Sequence, residues 1–72
     1  METKLKLFDV IALTEDLPER GLRRGQVGTI VEILAPGVYE VEFSDEAGVA
    51  YASLAVQAEQ MMLLCYQPAQ AA

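Results

Sequence analysis

The stretch Gly25-Gln26-Val27-Gly28-Thr29-Ile30-Val31-Glu32-Ile33 decides the fold. Its first glycine can adopt a positive φ and close the preceding loop, and its second lets another backbone or a ring approach closely. The β-branched residues that follow are stiff at χ1 and fit a pleated strand better than a helix. The pattern predicts a tight bend entering a central strand over residues 27–34. A phosphate-cradling loop would need more glycine and a Lys-Ser/Thr pair or a helix after it, and the stretch has none of these.

The segments on either side also predict strands. Residues 5–13 alternate loosely and then become fully apolar, which predicts a first strand over residues 8–13. Residues 38–44 alternate most clearly, with Tyr39, Val41 and Phe43 on one face and Glu40 and Glu42 on the other. Turn residues at 35–37 and 45–48 make this strand the middle of two hairpins.

The strand predicted over residues 49–56 has apolar residues on both faces, so its orientation is ambiguous. We expect Ala50, Ala52 and Leu54 to face inward and Tyr51 to face outward.

A single helical turn over residues 57–60 is expected next, followed by a final strand over residues 61–66. Met61 and Met62 are expected to fill the core, and the alternative is that they face a partner. Cys65 has no adjacent base, which favours a buried, inert thiol over a nucleophile.

These elements predict an all-β fold: a small SH3-like, five-stranded antiparallel barrel with a long first loop over residues 14–24 and one short helical turn before the last strand. Leu17 and Leu22 of the loop are expected to pack back onto the barrel. Residues 1–66 would form one domain and residues 67–72 a disordered tail. The alternative is an open meander that completes itself by dimerising.

The amino-acid composition disfavours several classes of partner and cofactor for this chain. The chain has 72 residues and a net charge of −6, which disfavours nucleic-acid phosphate as the main partner. It contains no histidine and one cysteine, so the usual zinc ligands and the usual general base are missing, and we expect no metal and no other cofactor. We see no signal peptide or membrane span and expect a cytoplasmic protein. Homodimer formation is a further alternative, because 53% of the residues are hydrophobic and so short a chain cannot bury them all.

Several segments in order carry a resemblance to a small bacterial family, the domain of unknown function 4926. They are Leu7-Phe8-Asp9-Val10-Ile11-Ala12-Leu13, Asp16-Leu17-Pro18-Glu19, Gly21-Leu22-Arg23-Arg24-Gly25, Val27-Gly28-Thr29-Ile30-Val31-Glu32, Tyr39-Glu40-Val41-Glu42-Phe43 and Asp45-Glu46-Ala47-Gly48. The resemblance spans residues 5–64 and implies an SH3-like barrel. It implies no catalytic residue, since the family has no assigned function. Residues 25–31 also resemble the glycine-valine strands of KOW modules, over one hairpin.

The candidate partner-binding residues are Arg20, Arg23, Arg24 and Tyr51. The three arginines form the only positive patch of an acidic chain. They could grip a carboxylate or phosphate of a partner, or neutralise the nearby Glu15, Asp16 and Glu19. Tyr51 offers an apolar ring with a polar tip, as interaction surfaces often do.

The acidic residues Glu15, Asp16, Glu19, Asp45 and Glu46 could in principle converge on a hard metal ion. Solvation and turn chemistry explain them more simply, because they lie at turn positions of different loops.

We therefore expect a non-catalytic cytoplasmic interaction module that binds another protein through residues 14–24 and the neighbouring strand surface. One version is an accessory protein, or an acidic antitoxin-like protein that binds a co-encoded partner. The alternative is a KOW-like nucleic-acid-binding module that uses Arg20, Arg23 and Arg24. An enzyme is a third class, for which the chain offers no nucleophile and base pair.

Overall fold

A computed structural model describes residues 5–65 of the chain, which form one antiparallel sheet in the order β4-β3-β2-β1-β5. Two short 3-10 helices, Pro18–Arg20 and Ala58–Gln60, lie in the connections before β2 and before β5. The strands are β1 (Val10–Leu13), β2 (Val27–Ala35), β3 (Val38–Ser44), β4 (Ala50–Gln57) and β5 (Met61–Leu63). The all-β prediction, the five strands and the helical turn before the last strand are confirmed.

β2 is the central strand, and both of its glycine predictions hold. Gly25 closes the preceding turn at φ 93°, a conformation that L side chains rarely adopt. A Cβ on Gly28 would lie 2.6 Å from Cγ1 of Val41 and 3.0 Å from Cδ2 of Phe43. The missing side chain therefore lets β3 pack its two most buried residues directly against β2.

The strand β3 has the predicted facing. Val41 and Phe43 are fully buried, Tyr39 packs against the core, and Glu42 points to solvent. The register against β2 shifts between Ile30 and Glu32 and again between Ile33 and Ala35. Such bulges bend and twist a sheet, and here they let a single sheet coil around its own buried face.

One hydrophobic core takes residues from every strand and from the loop between β1 and β2. Leu22 of that loop is 2% exposed, and Leu17 packs against the core, so both leucines pack back as expected. The buried members are Ile11, Leu13, Leu22, Ile30, Val41, Phe43, Leu54, Val56 and Met61.

The sheet does not close into a complete hydrogen-bonded barrel. Within residues 5–65, β4 pairs with β3, and β5 pairs with β1, but β4 and β5 do not pair with each other. The 3-10 helix Ala58–Gln60 carries the chain from β4 across to β1, and β5 is only three residues long. β4 and β5 are therefore the two edges of a coiled sheet.

Two strand boundaries differ from the prediction by two residues or more. β1 begins at Val10 instead of Phe8, because Phe8 has φ 70° and is 71% exposed. β5 ends at Leu63, so Cys65 lies beyond the strand and is exposed, which makes the expected burial of its thiol wrong. Tyr66 and the expected tail at residues 67–72 lie outside the described residues.

The predicted facing of β4 holds for Ala52, Leu54 and Tyr51 but fails for Ala50, which is exposed. Phe43 pairs with Ala52 while Ser44 pairs with Ala50, so Tyr51 is the extra residue of a bulge. The bulge places Ala50 in the row of Ser44, on the outer face.

The expectation that the two methionines fill the core holds for only one of them. Met61 is buried in the core, but Met62 is 54% exposed because successive residues of a strand face opposite sides.

Candidate interaction surface

The loop between β1 and β2 is held in one conformation by its own backbone. Leu17 and Leu22 exchange two hydrogen bonds, with N···O distances of 2.9 and 3.1 Å. The 3-10 helix Pro18–Arg20 forms the tip between them and ends at Gly21, which has φ 71°. Because Leu22 is buried, the loop is anchored to the core, and its tip presents Arg20 to solvent.

The second half of the loop is a tight turn over residues 23–26. The Gln26 N–H donates to the Arg23 carbonyl at 3.1 Å, and the Gly25 N–H donates to the Leu13 carbonyl at 2.8 Å. The carboxylate of Asp16 accepts a hydrogen bond from the Arg24 N–H at 2.8 Å. These bonds fix the backbone of Arg23 and Arg24 while both side chains remain exposed.

The side chain of Gln26 connects this turn to β4. Its Oε1 accepts a hydrogen bond from the Arg23 N–H, and its Nε2 donates to the Tyr51 hydroxyl at 2.8 Å. Tyr51 itself is 49% exposed. The bridge holds Tyr51 beside the turn that carries Arg23 and Arg24.

We call Arg20, Arg23, Arg24 and Tyr51 the arginine–tyrosine surface. The hydrogen bonds of Gln26 link the Arg23 backbone to the Tyr51 hydroxyl, Arg24 follows Arg23 in the same turn, and Arg20 belongs to the 3-10 helix of the loop. Sequence reasoning missed Gln26. Its only signal is a polar residue between a turn glycine and an apolar strand, which does not indicate a contact 25 positions away.

Two acidic neighbours of the arginines, Asp16 and Glu15, make other contacts. Asp16 accepts from a backbone N–H, and Oε2 of Glu15 accepts from Nε2 of Gln60 at 3.2 Å. Across residues 5–65, the single salt bridge joins Lys6 to Asp9 at 2.9 Å. Within that part of the chain, the guanidinium groups of the arginine–tyrosine surface are therefore not engaged in ion pairs.

Asp9 shows the only resolved electrostatic perturbation among the described groups. The hydrogen bond from the Lys6 side chain lowers the pKa of the Asp9 carboxyl below its ordinary value of 3.8, although partial desolvation opposes the shift. The Lys6 backbone N–H also donates to this carboxylate, at 2.9 Å. This pair stabilises the turn that precedes β1 and is separate from the arginine–tyrosine surface.

The other candidate groups are placed as ordinary structure. Oδ1 of Asp45 accepts from the N–H groups of Ala47 and Val49, so this carboxylate organises the turn between β3 and β4. No cluster of three or more His, Cys, Asp or Glu side chains suited to a metal ion is found in the described chain. An open groove of about 420 Å³ lies beside β5 and is lined by Leu5, Ala58, Met61, Met62, Leu63 and Cys65. No helix in residues 5–65 is long and apolar enough to cross a membrane.

The sequence was compared with protein-family models, with curated proteins and with solved structures. A family model described as a domain of unknown function (DUF4926) matches residues 7–63, from the turn before β1 to the end of β5. No significant match was found among curated proteins or among solved structures.

Proposed function

This chain belongs to the family described as a domain of unknown function (DUF4926), and from its geometry we propose that it is a non-catalytic protein-interaction module. In this proposal the arginine–tyrosine surface contacts a partner protein that is encoded together with this chain and is still to be identified. The module acts in the cytoplasm, as an accessory or antitoxin-like protein.

The observation that carries the proposal is the Gln26 bridge. It joins an exposed aromatic residue to a turn that carries two exposed arginines, and the turn is fixed by backbone hydrogen bonds. A surface that is ordered before binding loses less conformational entropy when a partner docks. Arginine and tyrosine are also the residue types that contribute most to interface energetics.

The chemistry of the surface indicates what it would contact. Arginine binds carboxylates through paired, planar hydrogen bonds, and a tyrosine ring supplies apolar area with a polar tip. The partner would therefore present a carboxylate next to an apolar group. The absence of histidine from the sequence supports a non-catalytic role, because the commonest general base is missing.

The test is an affinity capture from the lysate of the native host, with nuclease-treated and untreated samples and mass spectrometry as readout. The Arg23→Glu/Arg24→Glu variant should lose a protein that the wild type retains after nuclease treatment, with little change in Tm. Single Arg23→Gln and Ala47→Glu variants provide a matched pair, because each makes the net charge more negative by one at an exposed residue and only Arg23 belongs to the surface. Equal losses from both would show that the effect is net charge alone.

The nucleic-acid alternative gives a different result in the same experiment. If Arg20, Arg23 and Arg24 bind RNA or DNA, the captured material disappears with nuclease, and an electrophoretic shift at low salt weakens steeply as salt is added. A lower Tm in Arg23→Glu/Arg24→Glu, with the captured partner retained, would contradict both protein binding and nucleic-acid binding by these arginines. They would then be structural residues.

A further inference from the structure

β4 is an open edge of the sheet. Within residues 5–65 it pairs with β3 on one side, and no strand pairs with its other side. Such an edge presents unpaired backbone N–H and C=O groups, which can hydrogen-bond to an added strand.

β4 also lacks the usual protection of an edge strand. Its eight residues, Ala-Tyr-Ala-Ser-Leu-Ala-Val-Gln, include no charge and no proline. Edge strands normally carry lysine, proline or bulges that prevent pairing with other chains, and β4 has only the bulge at Tyr51, near its start. The remaining positions pair with β3 in an unbroken register, so the bulge interrupts only the start of this edge.

The outer face beside this edge is acidic. One row across the sheet runs from Thr29 through Glu42 to Ser53, and the next runs from Glu32 through Glu40 to Ala55. Glu32 and Glu40 are directly opposite each other, an arrangement of like charges that destabilises a sheet. Ser53 donates a hydrogen bond to Glu40 at 2.7 Å, and no cation of the described chain pairs with the three carboxylates.

We propose that the free edge of β4 binds an extended, basic segment of a partner protein by strand addition. Its lysine or arginine side chains would lie opposite Ser53 and Ala55, which end the two acidic rows. An added strand lies about 9.5 Å from β3, two strand spacings away. Because Ser53 and Ala55 are small, long basic side chains can pass over them towards Glu42 and Glu40.

Charge favours this occupant over a second copy of the chain. Pairing β4 with β4 of a second molecule would place the acidic rows of both copies on one continuous sheet. It would supply no cation to Glu32, Glu40 or Glu42, and each copy carries a net charge of −6. A basic strand instead provides hydrogen bonds to the edge and opposite charges to both rows.

The inference goes beyond the arginine–tyrosine surface, and although Tyr51 belongs to both that surface and β4, the inference does not require that surface to bind a partner. It involves none of the three arginines, so either proposal can fail while the other stands.

The probe is a capped octapeptide that alternates arginine and valine, titrated into the isotope-labelled protein and followed by NMR and calorimetry. Binding should weaken with salt, and the largest amide shifts should fall in β4. An octapeptide that alternates glutamate and valine should not bind. An arginine–valine peptide N-methylated at every residue keeps its charge but cannot donate a backbone hydrogen bond along either edge, so it should not bind either.

Two variants test the rows. Ala55→Lys places a cation beside Glu40, where it competes with the basic side chains of the peptide. Glu40→Gln/Glu42→Gln removes two of the carboxylates with which those side chains would pair. Each change should weaken binding about tenfold. Ala55 is exposed, so the fold should be retained, which a thermal melt checks. Equal binding of the N-methylated peptide, shifts centred outside β4, or a stable dimer through β4 in sedimentation equilibrium would each overturn the proposal.

Discussion

Nε2 of Gln26 donates a hydrogen bond to the Tyr51 hydroxyl at 2.8 Å, across two segments that lie 25 positions apart. The same side chain accepts a hydrogen bond from the Arg23 N–H. One amide therefore connects the turn that ends the long loop to the bulge at the start of β4.

Removing the hydroxyl should loosen this turn without unfolding the protein. Tyr51→Phe leaves Nε2 of Gln26 without its protein partner, and we expect a loss of about 1 kcal/mol or less in the free energy of unfolding. The amide hydrogen of Arg23 should exchange several-fold faster, as measured by native-state hydrogen exchange.

Tyr39→Phe is the matched control for that change. The Tyr39 hydroxyl makes no hydrogen bond among the residues described here, so the same atom is removed from a position without a bridge. Exchange at Arg23 should stay unchanged. Similar acceleration in both variants would show that the Gln26 bridge does not hold the turn.

Gly28→Ala should destabilise the protein by about 1–3 kcal/mol, because the new methyl group overpacks the contact between β2 and β3. The relevant neighbour is Cγ1 of Val41, 2.6 Å from the position of the added carbon. Urea denaturation of the single variants and of Gly28→Ala/Val41→Ala should show that the double variant loses less than the sum of both.

Gly25→Ala provides the comparison for this cycle. The added carbon would meet no atom within 4 Å, and its cost of about 1 kcal/mol comes from the positive φ of 93°. Its effect should therefore add to that of Val41→Ala. Coupling of similar size at both glycines would contradict a local steric clash at Gly28.

Leu22→Ala should cost about 2–4 kcal/mol, although Leu22 lies in a loop, because its side chain is 2% exposed within the core. For a domain of this size, such a loss lowers Tm by about 10–30 °C in calorimetry. Leu34→Ala makes the same chemical change at a residue that is 45% exposed, and it should cost far less. Comparable losses would mean that the loop is not anchored through Leu22.

The pair formed by Lys6 and Asp9 should make stability depend on acid pH. The pKa of Asp9 is lower in the folded protein than its ordinary value of 3.8, so its contribution is present above that pH. It is lost as the pH falls below 3.8 and through the folded pKa.

Lys6→Met should raise the pKa of Asp9, because it removes the side-chain hydrogen bond that lowers it most. The backbone N–H of residue 6 still donates to the carboxylate, so part of the shift should remain. NMR titration of the Asp9 carboxyl measures the change, and Lys6→Arg should preserve most of the shift. An unchanged pKa in Lys6→Met would assign the shift to the backbone alone.

Local sequence patterns were sufficient to predict the five strands, their turns and the central position of β2. These follow from local causes: β-branched runs, period-two alternation in β3, and glycine, proline and aspartate at the turns. The close approach at Gly28 and the packing of Leu22 could also be predicted locally. A glycine within a strand allows a neighbour to approach closely, and an apolar residue in a loop is stabilised by packing against the core.

Tertiary structure decided the facing of Ala50, the exposure of Cys65, the open edge between β4 and β5, and the Gln26 bridge. A bulge at Tyr51 sets the first, and the end of β5 at Leu63 sets the second. The sheet is open at β4 because the 3-10 helix Ala58–Gln60 leads the chain to β1. The Gln26 bridge depends on the coiling of the sheet, which brings β4 beside the loop. Register shifts and long-range contacts arise from packing between distant segments, so no local pattern along the chain encodes them.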